Sequence, residues 1–205
     1  MGTTQLKNQA FIRDYFATSI LVKLQAMESL GPQIEEAGHV IASAMAKGKK
    51  WLIFGNGGSA ADAQHLAAEL VGRLYKLERR GLPALALTTD SSGLTCIGND
   101  YGYDSVFSRQ VEALAQKGDV VMGISTSGNS PNVLKALAQA KKMGCVTMAL
   151  SGNDGGKLAK AARHCLTVAG SQANFIQETH IAIGHLLCFL VERELLASGF
   201  IKERK

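Results

Sequence analysis

WLIFGNGGSAADAQHLAAEL, residues 51 to 70, changes character twice in a short span. Trp51 to Phe54 are continuously apolar, the pattern of a strand buried on both faces. Gly55, Gly57 and Gly58 then break the run, and an alanine- and leucine-rich helical segment follows. A buried strand, a glycine loop and a helix in that order form one βα unit of a parallel sheet.

The same grammar repeats downstream. Short apolar runs fall at 83–88 (PALALT), 119–125 (DVVMGIS) and 145–150 (CVTMAL), with a weaker one, HCLTV, at 164–168. Helical segments are expected at about 59–75, 104–115, 130–143, 157–162 and 173–197. The fold class is therefore α/β, a three-layer arrangement with a five-stranded parallel sheet flanked by helices. Upstream, Ile12, Tyr15, Phe16, Ile20, Leu21, Leu24, Met27 and Leu30 carry helical spacing. Gly31-Pro32 is expected to end that helix, with a second over roughly 33–47. These leading helices (about 8–47) could cover the α/β core (about 48–197) or another subunit. Residues 1–205 read as a single domain.

Composition narrows the class. The 205 residues are 46% apolar and 19% charged, which excludes a disordered chain. No run approaches the roughly 20 apolar residues of a membrane span, and the N-terminus lacks a signal-peptide pattern, so a cytoplasmic location is expected. The net charge of +5 suits anionic small molecules. Without a dense basic cluster or an RNA-binding aromatic motif it does not indicate nucleic acid, and the final IKERK reads as a solvated tail. Cys96, Cys145, Cys165 and Cys188 show no metal-site spacing and are expected as buried free thiols.

Two loops stand at the C-terminal ends of expected strands, where open α/β sheets bind ligands. One is Gly55-Asn56-Gly57-Gly58-Ser59. The other is Ser125-Thr126-Ser127-Gly128-Asn129-Ser130, with Pro131 opening the next helix. Hydroxyls, free backbone N–H groups and the positive end of a helix dipole together favour an anion. Ser130 is expected to cap its helix, and Ser59 with Asp62 resembles a capping box. Gly128 allows close backbone approach or positive φ. No lysine follows as in a nucleotide-triphosphate loop. Either loop alone is also what an ordinary capped turn looks like.

GNGGSAADAQHLAAEL, GNDYG (98–102), GISTSGNS (123–130), SGNDGGKL (151–158) and IQETHIAIGH (176–185) resemble, block by block and in order, the sugar isomerase (SIS) domain family, and within it the phosphoheptose isomerases. The resemblance spans about residues 10–197. It implies interconversion of D-sedoheptulose 7-phosphate and D-glycero-D-manno-heptose 7-phosphate for heptose and lipopolysaccharide synthesis, by a zinc-containing homotetramer. It implies phosphate binding by Ser125, Thr126, Ser127 and Ser130, and substrate contacts by Asn56, Gly57, Gly58, Ser59, Glu69, Asn99, Asp100 and Gln177. The implied zinc ligands are His65, Glu69, Gln177 and His185, with Glu69 and His185 also the acid/base pair.

The chemistry agrees with that set. Aldose–ketose isomerisation moves a proton between adjacent carbons through an enediol, which needs a base at carbon and a proton carrier at oxygen. His65 and Glu69, four apart, share a helix face. Gln177 and His185, eight apart, share another. Zinc takes imidazole nitrogen and carboxylate oxygen readily, whereas Gln is an uncommon ligand and could instead bond substrate. Glu178 and His180 are assigned structural hydrogen bonds, and His39 and His164 no role. Asn174 and Phe175 depart from the family, where Asp and a basic residue are common, which bears on the identity of the sugar. The alternative reading is a non-catalytic SIS protein that binds the replication initiator or senses a phosphosugar. The presence of both Glu69 and His185 favours catalysis.

Overall fold

The computed structural model describes residues 3–74 and 78–203. Five strands, β1 (Trp51–Gly55), β2 (Ala84–Ala86), β3 (Val120–Ser125), β4 (Val146–Gly152) and β5 (His164–Val168), form one sheet in the order β2-β1-β3-β4-β5. Every pairing is parallel, and β1 and β3 are in register from Trp51↔Val120 to Gly55↔Ile124. The helices are α1 (Thr3–Ala46), α2 (Gly58–Val71), α3 (Ser91–Tyr101), α4 (Ser108–Leu114), α5 (Pro131–Lys142), α6 (Leu158–Ala161) and α7 (Ala173–Ala197), with a 3₁₀ turn at Tyr103–Ser105.

Because β1, β3 and β4 are buried on both faces, the sheet separates two cores. On one face Trp51, Ile53 and Met122 pack with Leu66 and Leu70 of α2, Ile34 and Ile41 of α1, and Ile183 and Leu187 of α7. On the other, Phe54 and Val121 meet Phe107, Val111, Val133 and Leu137 of the α4–α5 side. The chain leaves β1 toward the first face and β3 toward the second. The crevice between these neighbouring strands is the switch point where such sheets bind ligands.

Several expectations are corrected. Gly31-Pro32 does not end a helix: α1 is continuous over 44 residues with Pro32 inside it. Ala26, Leu30, Ile34, Ala37 and Ile41 lie buried on both sides of the proline, and their packing outweighs the hydrogen bond that proline removes. The helix expected at 59–75 ends at Val71, and Tyr75 lies outside the described residues. The one expected at 104–115 is a 3₁₀ turn followed by the shorter α4. Helix α3 was not foreseen; none of its residues is fully buried, so its apolar stripe is faint, but Asp90 caps it by accepting from the Gly93 N–H.

The two expected caps also fail. α2 begins at Gly58, which places Ser59 and Asp62 inside the helix, and Ser130 holds the N-cap position of α5 without a side-chain cap bond. All four thiols are free, but only Cys188 is buried; Cys96 is exposed and Cys145 and Cys165 are intermediate. Ile201 is buried, so the terminal segment is docked at least that far; Arg204 and Lys205 lie outside the described residues. Among the described residues no helix is long and apolar enough to cross a membrane.

Candidate active site

After β1 the chain turns through Gly57, whose φ of 55° and ψ of −120° suit only glycine. Gly58 faces α7 closely: a Cβ there would stand 2.3 Å from the Gln177 side-chain amide. The loop is therefore shaped to admit Gln177. Beyond it, α2 carries Asp62, His65 and Glu69 along one face, three and four residues apart.

That face meets α7 where α7 has Gly184. A side chain at 184 would collide with Leu66, its Cβ coming within 2.6 Å of Leu66 Cδ2. The bare backbone lets the helices close up, and the next residue, His185, brings its Nε2 to 2.8 Å from His65 Nε2. Glu69 Oε1 lies 3.2 Å from His65 Nε2. One ligand atom from each of His65, Glu69 and His185 falls within 4.8 Å of the others. Two imidazole nitrogens aimed at each other beside a carboxylate oxygen form a donor set that fits a zinc ion.

Gln177 sits at the other end of this face. Its amide nitrogen donates to Asp62 Oδ1 at 3.4 Å. Asp62 Oδ2 is buried and has no hydrogen-bond partner among the described residues. Burial pushes the Asp62 carboxyl above its ordinary value, offset in part by the Gln177 bond and the charges of His65 and His185. Sequence reasoning treated Asp62 only as a cap; its spacing from His65 was the signal that it belongs to this face.

The second loop gathers hydroxyls. Ser125, buried at the end of β3, has its Oγ 2.8 Å from Ser130 Oγ and 3.3 Å from Ser127 Oγ. Ser130 spends its hydroxyl on this group, which explains the missing cap. Gly128 has φ of +66°, and a Cβ there would lie 2.3 Å from the Gly155 carbonyl oxygen. The loop is thus wedged against the turn after β4, where Gly128 O accepts from Leu158 N and Asn129 Oδ1 from Lys157 N.

The two loops are joined by a reciprocal amide pair. Asn56 Nδ2 donates to Asn132 Oδ1 at 2.9 Å, and Asn132 Nδ2 donates to Asn56 Oδ1 at 2.8 Å. Asn132, buried in the first turn of α5, was missed in the sequence although it directly follows Ser130-Pro131. Tyr103 Oη adds a bond to Asn56 Oδ1 at 3.3 Å. Ser59 is buried at the start of α2. Asn99 and Asp100 bond to each other, and Asp100 also accepts from Cys96; among the described residues neither bonds to the two loops.

Glu178 and His180 have the structural partners expected of them. The Glu178 carboxylate accepts from Tyr15, Ser19 and Lys23 of α1, and those bonds hold its carboxyl below the ordinary range. The buried His180 places its Nε2 2.9 Å from the Ser151 carbonyl, and burial lowers its pKa to about 4.

Comparison with known proteins gives a consistent result. Residues 14–152 match the SIS domain family. The phosphoheptose isomerase of Aquifex aeolicus is 53% identical over 181 residues, covering 88% of this chain and 94% of its own. That of Geotalea daltonii is 57% identical over 175 residues, covering 83% and 91%. Among solved structures, phosphoheptose isomerase GmhA from Neisseria gonorrhoeae superposes with a TM-score of 0.86 at 44% identity, over 90% of this chain and 98% of that one. A phosphoheptose isomerase from Francisella tularensis gives 0.87 at 35% identity, over 91% and 98%.

Proposed function

Because the chain belongs to the SIS domain family and, within it, to the phosphoheptose isomerases, we propose that it interconverts D-sedoheptulose 7-phosphate and D-glycero-D-manno-heptose 7-phosphate through an enediol, with the residues of this crevice in the following roles. The observation that supports the assignment is that one chain holds both an anion-binding loop and an acid/base cluster. A hydroxyl loop sits at the end of β3, and an imidazole–carboxylate–imidazole cluster sits on the helix that follows β1 and on α7.

Ser125, Thr126, Ser127 and Ser130 take the phosphate. Their hydroxyls donate, and the N-terminus of α5 adds its favourable dipole. Asn56, Gly57, Gly58 and Ser59 line the path from the phosphate toward α2, and their glycines let the sugar lie against backbone. Asn99 and Asp100 are assigned to substrate from the far side of the crevice. Glu69 removes the proton from carbon and returns it to the neighbouring carbon, while His185 moves the proton between the two oxygens. His65, Glu69 and His185 would hold a zinc ion, with Gln177 as a fourth ligand or as a hydrogen-bond partner of the sugar. Bound there, the ion would supply positive charge next to the oxygens of the enediolate. A carboxylate has two oxygens, so Glu69 can face the imidazoles with Oε1 and present Oε2 to the substrate.

We further assign the whole chain to one SIS domain, acting in the cytoplasm as a homotetramer in the supply of heptose for lipopolysaccharide. Incubating the purified protein with sedoheptulose 7-phosphate and following the aldose tests the reaction. Turnover lost in chelator and restored by zinc supports the metal assignment; no aldose under either condition would remove the assignment of activity.

A further inference from the structure

Helix α2 ends only two residues beyond Glu69, and the carbonyls of its last turn need donors. Ala68 O accepts from Gly72 N and Leu70 O from Leu82 N, and one side chain serves both Glu69 and Leu70. Arg79, whose guanidinium is fully buried, donates from Nη2 to the Glu69 carbonyl at 3.0 Å. Its Nη1 donates to the carbonyls of Leu70 at 2.9 Å, Gly72 at 3.1 Å and Arg80 at 3.0 Å. Nε and Nη2 also reach Glu192 Oε1 on α7. Glu192 follows His185 by seven residues, two turns along the same face.

One buried cation therefore grips the backbone of Glu69 on one helix and a carboxylate of the helix that carries His185 on the other. We infer that Arg79, together with Glu192, is a positioning residue for the His65–Glu69–His185 cluster: it fixes the last turn of α2 against α7 so that the three donor atoms stay within reach of one another. The inference rests on the metal-and-base reading of that cluster. It is specific to one half of the crevice, since the serine loop hangs from β3 and α5 and makes no bond to Arg79 among the described residues.

The test uses Arg79→Met/Glu192→Met, which replaces the pair with apolar groups of similar volume, an exchange that buried ion pairs often tolerate, and Arg79→Lys, which keeps the charge but not the planar fork. Three quantities are read: zinc affinity by competition with a chromogenic chelator, kcat against KM, and inhibition by inorganic phosphate. Loss of a residue that orients metal ligands typically costs 10–100-fold. The double variant should lose about tenfold or more in zinc affinity and in kcat, with KM and phosphate inhibition within about twofold of the parent; Arg79→Lys should fall between the two. If the double variant does not fold, Arg79→Lys decides on the same readouts. Unchanged zinc affinity and kcat would overturn the inference, and so would a parallel loss of phosphate inhibition, which marks general destabilisation. His185→Ala, run alongside, separates the premise: if it leaves zinc affinity intact, the cluster reading itself fails.

Discussion

A methyl group is the smallest probe of the two loops, and it should act differently on each. At Gly58 the added carbon meets the far end of Gln177, a side chain that can swing away. Gly58→Ala should therefore keep its thermal midpoint near the parent's and lose turnover, because Gln177 is displaced. At Gly128 the added carbon meets a backbone carbonyl, at a φ that disfavours L-residues. Gly128→Ala should both destabilise the fold and raise KM by roughly tenfold, about 1.4 kcal/mol of binding. Equal behaviour of the two in melting and kinetics would contradict this account. Glu69→Gln keeps the shape but removes the base, so kcat should fall by roughly 10²–10⁴ with little change in KM. His180 gives the molecule an acid limit. Its pKa is 6.5 in the unfolded chain and about 4 when folded, so the unfolded state binds the proton first. The stabilisation is complete above 6.5, declines as pH falls toward 4, and amounts to about 3 kcal/mol. His180→Gln, which retains a donor for Ser151, should flatten that part of a plot of urea midpoint against pH.

At the scale of elements, legibility followed burial. β3 and α7 stand where their sequences placed them because each buries a continuous or strongly periodic apolar set, written in adjacent residues; β5 also stands in place, although only Leu166 and Val168 of it are buried. α3 was illegible for the opposite reason: with no fully buried residue its periodicity is weak, and only the Asp90 cap marks it. The site divides in the same way. The hydroxyl loop and the His65–Glu69 spacing are local and could be read directly. The approach of His185 to His65 depends on Gly184 meeting Leu66 across more than a hundred residues, which no local pattern records, so it came from the resemblance. The continuity of α1 is a third case, in which packing against α7 overrides a local break signal. Pro32 is exposed and inside the helix, so Pro32→Ala should restore a backbone bond to the Glu28 carbonyl. An interior proline costs about 3 kcal/mol relative to alanine, offset by up to about 1 kcal/mol of unfolded-chain entropy. A net gain of about 2 kcal/mol is expected in urea denaturation; a loss would mean that the helix bends at Pro32 to fit a neighbour.

The whole molecule carries more exposed apolar surface than the reaction requires. Phe11, Ile12, Phe16, Ile20, Leu21, Leu24 and Met27 project from α1, and Leu186 and Phe189 from α7, all at least 45% exposed. Between these helices runs an apolar groove of about 370 Å³ lined by Ala26, Ile34, Ile183, Leu186 and Leu190. A contiguous face of this kind marks an interaction surface, and it fits the proposed homotetramer, with α1 of one subunit lying on another. His185 belongs to α7 and immediately precedes Leu186 of this face, so assembly would fix the helix that carries the acid/base group. Phe16→Asp with Leu24→Glu should break the assembly, because a buried unpaired carboxylate costs several kcal/mol, whereas a free monomer would leave both in water at little cost. Light scattering after size exclusion should move from four copies toward one or two. If the assembly completes the site, kcat should then become dependent on protein concentration, while inhibition of the residual activity by inorganic phosphate, which reports on the serine loop within one chain, should not. Full turnover in a monomeric variant would show that one chain suffices for the chemistry.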